Sequence, residues 1–233
     1  MKPLLVLIAA PSGTGKTTLC DRLLQEYPEL VYSISCTTRE PRGEEEDGVD
    51  YHFVSNEDFD RLESEDAFLE HALVHGNRYG TLIEPVRAAF KQGLSVLMDI
   101  DVAGAAQVRA RLASLPEDDP IRDGFTDIFI MPPSIEELRR RLVNRGEDSA
   151  EVIERRLNNA EGEMARSKEF QYKVVNDDLE VAYRELRSML EYAGAVIGPD
   201  NRDEEKEGII RKPGMKKQAG DKGRCGCAGH RHD

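Results

Sequence analysis

The chain of 233 residues is long enough for one domain with an appendage. Its 39% hydrophobic and 33% charged residues suit a globular protein with its own core, and no apolar run nears the ~20 residues that cross a bilayer. The net charge of −13 is uneven: from Lys206 onward eight Lys/Arg against three Asp/Glu give +5, leaving −18 on the body, which argues against nucleic-acid binding as the main activity.

KPLLVLIA (2–9) is a continuous apolar run, as in a parallel strand buried on both faces. A secretory signal shares its basic residue and apolar stretch, but this run is short and leads directly into a Gly-rich loop, so it reads as a first strand. Residues 16–26 have helical spacing, with Leu19, Leu23 and Leu24 on one side. Residues 33–80 hold short β-like pieces, charges and turn residues, as a small inserted lobe would. LSVLMDI (94–100) predicts a buried strand ended by acids, and DIFIMPP (127–133) another stopped by prolines. SIEELRRRL (134–142) opens as a helix, with a serine cap and a glutamate three residues on. YKVVN (172–176) predicts a fourth strand and 179–193 a last amphipathic helix. Such alternation predicts an α/β fold, a parallel sheet wrapped by helices with ligands at the carboxyl ends of its strands. After Gly194 the sequence turns polar, Gly-rich and aperiodic, which predicts a disordered basic tail over 196–233. Cys20 and Cys36 lie far apart and Cys225 and Cys227 sit in the tail; this is no disulfide framework, and a reducing cytoplasm is the expected compartment.

AAPSGTGKTT (9–18) nearly matches the phosphate-binding pattern G-x-x-x-x-G-K-[ST], between a buried strand and a helix. Backbone N–H groups of residues 12–17 can wrap a phosphate, helped by the helix N-terminus. Lys16 would reach the β- and γ-phosphates of ATP, and Thr17 would coordinate Mg²⁺. Ala10 stands where the pattern has its first glycine. Pro11 pushes the residue before it toward an extended conformation, which alanine adopts readily, so Ala10 is expected to lengthen the strand by one residue and leave the cradle intact. MDID (98–101) places Asp99, and second to it Asp101, where a carboxylate can join the Mg²⁺ shell. In SCTTREPRGEEEDGVDYHF (35–53), Arg39, Arg42 and Tyr51 suit a phosphate that is held and not cleaved.

Together PSGTGKTTL, SCTTREPRGEEEDGVDYHFV, FLEHALVHGNRYGT, MDIDVAG, PPSIEELRRRLVNRG and VNDD (175–178) resemble the guanylate kinases, of the nucleoside monophosphate kinase group, over about residues 3–193. The resemblance implies transfer of a phosphoryl group from ATP to GMP with Mg²⁺. It implies a P-loop kinase core, a GMP-binding lobe at about 33–82 and a mobile lid at about 141–157, within a domain spanning 1–195. It places Ala10, Pro11, Ser12, Gly13, Thr14, Gly15, Lys16, Thr17 and Asn176 around ATP, with Asn176 on the adenine side. Arg39, Arg42, Tyr51 and Tyr79 would hold the GMP phosphate, and Ser35, Glu70, Thr81 and Asp101 would contact or border the guanine. Lys16 and the lid residues Arg141, Arg145 and Arg156 would act on the transferring group. Departures from the family pattern are Cys36, Ala103 and an enlarged loop at 114–124, SLPEDDPIRDG.

Three other readings bear on this chain. A non-catalytic guanylate-kinase-like module that binds proteins would lack loop or phosphate-site residues that are present here. A kinase for another phosphorylated acceptor, such as a ribose bisphosphate, fits poorly with Glu70 and Ser35, which suit a guanine edge. In the tail, Cys225, Cys227, His230 and His232 are enough ligands for one Zn²⁺ or Cu⁺, although C-x-C-x2-H-x-H is tighter than common zinc sites and the bland reading is an unstructured basic tail. No membrane or nucleic-acid partner is expected. The sequence leaves open the oligomeric state and the choice between GMP and dGMP.

Overall fold

The computed structural model describes residues 2–146 and 148–194. In chain order the elements begin with β1 (Leu5–Ala9), α1 (Lys16–Glu26), β2 (Leu30–Tyr32), β3 (Cys36–Thr37), β4 (His52–Phe53), α2 (Asn56–Ser64), β5 (Phe68–Val74) and β6 (Asn77–Leu82). They continue with α3 (Ile83–Lys91), β7 (Ser95–Asp99), α4 (Val102–Ala113), α5 (Pro120–Asp123), β8 (Phe125–Met131), α6 (Ile135–Arg145) and α7 (Ala150–Ala165). A 3₁₀ turn at Arg166–Glu169, then β9 (Tyr172–Val175) and α8 (Leu179–Tyr192), complete the order.

Five strands form one sheet in the order β2-β7-β1-β8-β9, every neighbouring pair parallel. The central strand β1 explains its own sequence. Val6 and Ile8 pack on one face with Leu19 and Leu23 of α1 and Leu186 and Leu190 of α8. Leu5, Leu7 and Ala9 pack on the other with Val86 of α3 and Val102, Ala105 and Val108 of α4. A strand covered on both sides has no polar face, hence the unbroken apolar run. All five strands run the same way, so the loops that follow β1, β7 and β9 gather at one edge of the sheet. Among the described residues no helix is long and apolar enough to cross a membrane.

A second sheet, ordered β4-β3-β6-β5, is built entirely from residues between 36 and 82. It has its own small core of Cys36, Phe59 and Phe68, in which the two phenyl rings stack 4.6 Å apart. The antiparallel β5–β6 pairing shifts register between Phe68 and Glu70. This bulge lets Leu69 enter the core of the main sheet while Glu70 stands opposite Thr81.

Several sequence expectations are amended. The hydrogen-bonded strand ends at Ala9, so Ala10 does not lengthen it; Ala10 is a buried residue just beyond, and its φ is not positive. Ser134 does cap α6, accepting from the Glu137 amide at 3.1 Å. The Glu137 carboxylate, however, does not reach back to close a capping box; it turns to Arg140 and Arg141 at 2.7–2.8 Å, and these arginines hold it down at about 2. The enlarged 114–124 loop carries α5, capped by Asp119, and Asp119 is tied to Arg87 of α3 at 2.9 Å. Helix α2 falls inside the stretch read as short β-like pieces, with Ser55 capping the Asp58 amide at 3.0 Å. The tail from residue 195, with Cys225, Cys227, His230 and His232, lies outside the described residues.

Candidate active site

The phosphate loop is shaped by its glycines. Gly13 and Gly15 have φ of 89° and 87°, a region that L side chains rarely adopt. A Cβ on Gly15 would also stand 2.5 Å from the Asn176 amide nitrogen. The loop is closed by Thr14, whose hydroxyl donates to the Pro11 carbonyl at 2.7 Å. Asn176, at the end of β9, donates its side-chain N–H to the Thr14 carbonyl at 2.7 Å and is 4% exposed. This side chain is turned onto the phosphate loop and braces it. Gly15 is the N-cap of α1, so the first free amides of that helix open toward the cradle.

At the end of β7, next to β1, Asp99 forms an ion pair with Lys16. Two residues on, Asp101 caps α4: its Oδ1 accepts from the amides of Ala103 and Gly104 at 2.9 and 2.8 Å. Asp101 is thus tied to the start of its own helix and Asp99 to the phosphate-loop lysine. Thr17 is exposed on the first turn of α1. Among the described residues no three His, Cys, Asp or Glu side chains converge as a metal cage. Hydroxyl and carboxylate oxygens in this number fit Mg²⁺, which takes one or two protein ligands and fills its octahedron with substrate phosphates and water.

The second sheet presents a polar recess. Thr81 donates to Glu70 Oε1 at 2.7 Å, and the Ser35 and Thr81 hydroxyl oxygens lie 3.5 Å apart. Glu70 is 8% exposed, and its other oxygen lies against the start of α4, 3.3 Å from where a Cβ on Gly104 would sit. Burial raises the Glu70 carboxyl above its ordinary range; the Thr81 bond opposes this and the Asp101 charge adds to it. Nearby, Arg39 is 8% exposed and donates through Nε to the Tyr79 hydroxyl at 3.2 Å. Its guanidinium carbon lies 5.3 Å from the Tyr51 ring centre, and the Tyr51 and Tyr79 rings meet edge-on at 5.9 Å. Arg42 is exposed.

The stretch 141–157 spans the end of α6, a left-handed Gly146 and the start of α7. Arg156 reaches back across it, donating to the Ser12 hydroxyl of the phosphate loop at 2.9 Å and pairing with Asp148 at 3.2 Å. Arg141 is held by Glu137 at 2.8 Å and points a second N–H at the Asp177 carbonyl, 3.4 Å away. Arg145 ends α6.

The sequence reading gave no role to two groups at this edge. Glu45 grips Arg39, and nothing in the run Glu44–Glu46 singles it out. Glu163, on α7, is half-buried; burial raises its carboxyl, the Asp101 charge raises it further, and Lys16 opposes both. Only the return of α7 over the strand ends brings it there.

A parallel sheet whose first strand runs through a Gly-rich loop into a helix starting Lys-Thr defines a P-loop kinase fold. A family model described as guanylate kinase matches residues 1–193. A guanylate kinase of Oleidesulfovibrio alaskensis is 47% identical over 201 residues, covering 86% of this chain and 92% of the relative. One of Neisseria gonorrhoeae is 51% identical over 180 residues, covering 77% and 83%. The crystal structure of guanylate kinase from Anaplasma phagocytophilum aligns with a TM-score of 0.59 at 31% identity, covering 84% of this chain and 88% of that one. The chain belongs to the guanylate kinase family.

Proposed function

We propose that the protein transfers the γ-phosphoryl group of ATP to GMP, giving ADP and GDP. The observation that carries this reading is the junction of β7 and α4. Asp99, paired with Lys16 of the phosphate loop, ends the strand, and the Glu70 carboxylate lies against the helix that begins three residues later. A phosphoryl donor on the loop and a guanine on Glu70 would thus flank one strand end.

In this reading the loop amides of residues 12–17 and Lys16 hold the β- and γ-phosphates. Arg39, Arg42, Tyr51 and Tyr79 hold the acceptor phosphate. Glu70, Ser35 and Thr81 read the base, with Asp101 bordering it. An oxygen of the GMP phosphate attacks the γ-phosphorus in line, the bond to the bridging oxygen breaks, and ADP leaves. The acceptor is already ionised, so no general base is needed. Lys16 and the lid residues Arg141, Arg145 and Arg156 would screen charge on the transferring group. Mg²⁺, held by Thr17 and by Asp99 directly or through water, would neutralise phosphate charge when bound. Closure of 141–157 would keep water from the γ-phosphate. The domain is proposed to run from 1 to 195, with the acceptor lobe at 33–82.

A coupled assay of ADP formation across GMP, dGMP, AMP, CMP and UMP tests this. GMP is expected to support turnover, with AMP, CMP and UMP lower by roughly 10³-fold or more. The dGMP arm reports what the ribose 2′-hydroxyl contributes. No ADP from any acceptor would favour the non-catalytic binding module instead.

A further inference from the structure

Arg39 carries five N–H donors, and four of them have fixed partners among the described residues. Nε donates to the Tyr79 hydroxyl at 3.2 Å and Nη1 to the Glu40 carbonyl at 2.8 Å. Nη1 and Nη2 then meet the two oxygens of Glu45 at 2.9 and 3.0 Å, a fork-to-fork pair. Glu45 is itself built into a turn: its Oε2 accepts from the Arg42 amide at 2.7 Å, and its own amide donates to the Arg42 carbonyl at 3.1 Å. The Arg39 and Arg42 contacts hold the Glu45 carboxyl below its ordinary range.

A carboxylate on a phosphate-binding arginine has two opposite meanings. It can compete with the phosphate, or it can hold the arginine in place for it. The three bonds on the Glu45 carboxylate decide between them. Leaving would break both bonds of the fork and also the side-chain bond that closes the 42–45 turn, so this group belongs to the frame of the site. With it in place, one N–H on Arg39 Nη2 has no partner among the described residues. The Tyr79 oxygen accepts from Arg39, which leaves the phenolic proton to donate elsewhere.

We propose that Glu45 is a positioning residue of the acceptor-phosphate site: it clamps Arg39 so that its remaining N–H and the Tyr79 hydroxyl proton are presented together to the GMP phosphate, and it ties Arg42 to the same turn. Clamping removes the rotamer freedom that a long arginine would otherwise lose on binding. It also leaves Arg39 largely neutralised by Glu45, so that Arg42 supplies the net positive charge. The inference rests on the reading of Arg39 and Tyr79 as phosphate holders.

The test uses the full chain carrying Glu45→Gln, Glu45→Ala or Arg39→Ala. KM is measured for GMP and for ATP, with equilibrium GMP affinity by calorimetry in the absence of ATP. Both Glu45 variants are expected to weaken GMP binding tenfold or more and to leave KM for ATP within twofold. The isosteric glutamine keeps the turn's main-chain bond, so it carries the test should the alanine variant unfold. GMP affinity unchanged within twofold, or tighter, overturns the proposal, the latter outcome marking Glu45 as a competitor. Equal losses for GMP and ATP also overturn it, since they mark general damage to the fold. Arg39→Ala separates the two levels. If it abolishes GMP binding while Glu45→Gln changes nothing, only the role of Glu45 fails; if it leaves GMP affinity intact, the acceptor-site reading itself fails.

Discussion

Lys16 and Asp99 form an ion pair across the gap between the phosphate loop and the end of β7, with side chains 20% and 14% exposed. The ammonium thus already rests in a negative field before any nucleotide binds. An arriving phosphate would offer it a second anion, and the pair would open toward the ligand. Lys16→Met is expected to abolish phosphoryl transfer while leaving the fold intact, because the lysine's charge is directed at Asp99 and the phosphate site, and methionine keeps a long apolar stem in its place. The loss should correspond to about 3 kcal/mol or more of transition-state stabilisation. Steady-state kinetics beside a thermal melt check this; a variant retaining over half of wild-type kcat would refute the loop's assignment.

Asn176 gives a different kind of test, because it touches the loop from behind. Its side-chain N–H holds the Thr14 carbonyl, and its amide nitrogen fills the space that a Cβ on Gly15 would need. Asn176→Ala removes a buried hydrogen bond and should cost about 1–3 kcal/mol of stability. That corresponds to a fall of roughly 2–4 °C in Tm per kcal/mol for a domain this size. Because the loop loses its brace, KM for ATP should rise at least about fivefold on the same argument, with KM for GMP little changed. Equal KM values for ATP in the two proteins would show that Thr14 keeps its place without Asn176.

The contrast between these two residues shows what a sequence can reveal. Lys16 is legible because each position near it has a forced role: glycines where φ must be positive, a lysine and a threonine where a helix opens on phosphate. From its own residue pattern Asn176 is only a polar residue after a strand, and it is the family resemblance that brings it to the ATP side; that it turns onto Thr14 depends on β9 lying beside β8 in the sheet. Helix α2 is hard to read from sequence although Ser55 and Asp58 carry its cap, because within its nine residues only Phe59 and Leu62 turn to the core. The bulge at Leu69 leaves no trace in composition, yet it lets one strand feed the main core and the recess in consecutive residues. Glu45 differs from Glu44 and Glu46 only through the turn that carries it to Arg39.

Glu70 supplies the last prediction, on selectivity and pH. Guanine offers donors at N1 and N2 and an acceptor at O6, whereas adenine offers an acceptor at N1 and a donor at N6. A carboxylate at Glu70 can accept from both guanine donors, with a hydroxyl such as that of Ser35 to meet O6. Facing adenine, the same carboxylate would lose its donors inside a recess where it is 8% exposed. Sites of this type can reject the wrong partner by roughly 10⁴-fold. Glu70→Gln is therefore expected to lower kcat/KM for GMP strongly and to narrow the ratio of GMP to AMP, whereas Arg39→Ala should weaken all monophosphates about equally. The proton provides a second readout. In the free protein burial raises the Glu70 carboxyl, the Thr81 bond opposes that, and Asp101 adds to it. Guanine donors favour the ionised form, so GMP binding should lower this pKa and release a proton. The sign follows: between the bound and free pKa values, GMP affinity should rise with pH, and it should flatten once the free carboxyl is ionised. Calorimetry in buffers of different ionisation enthalpy would detect the released proton in the wild type and its absence in Glu70→Gln. Unchanged selectivity together with an unchanged proton count would show that guanine is read elsewhere, with Asp101 and Thr81 the next residues to replace.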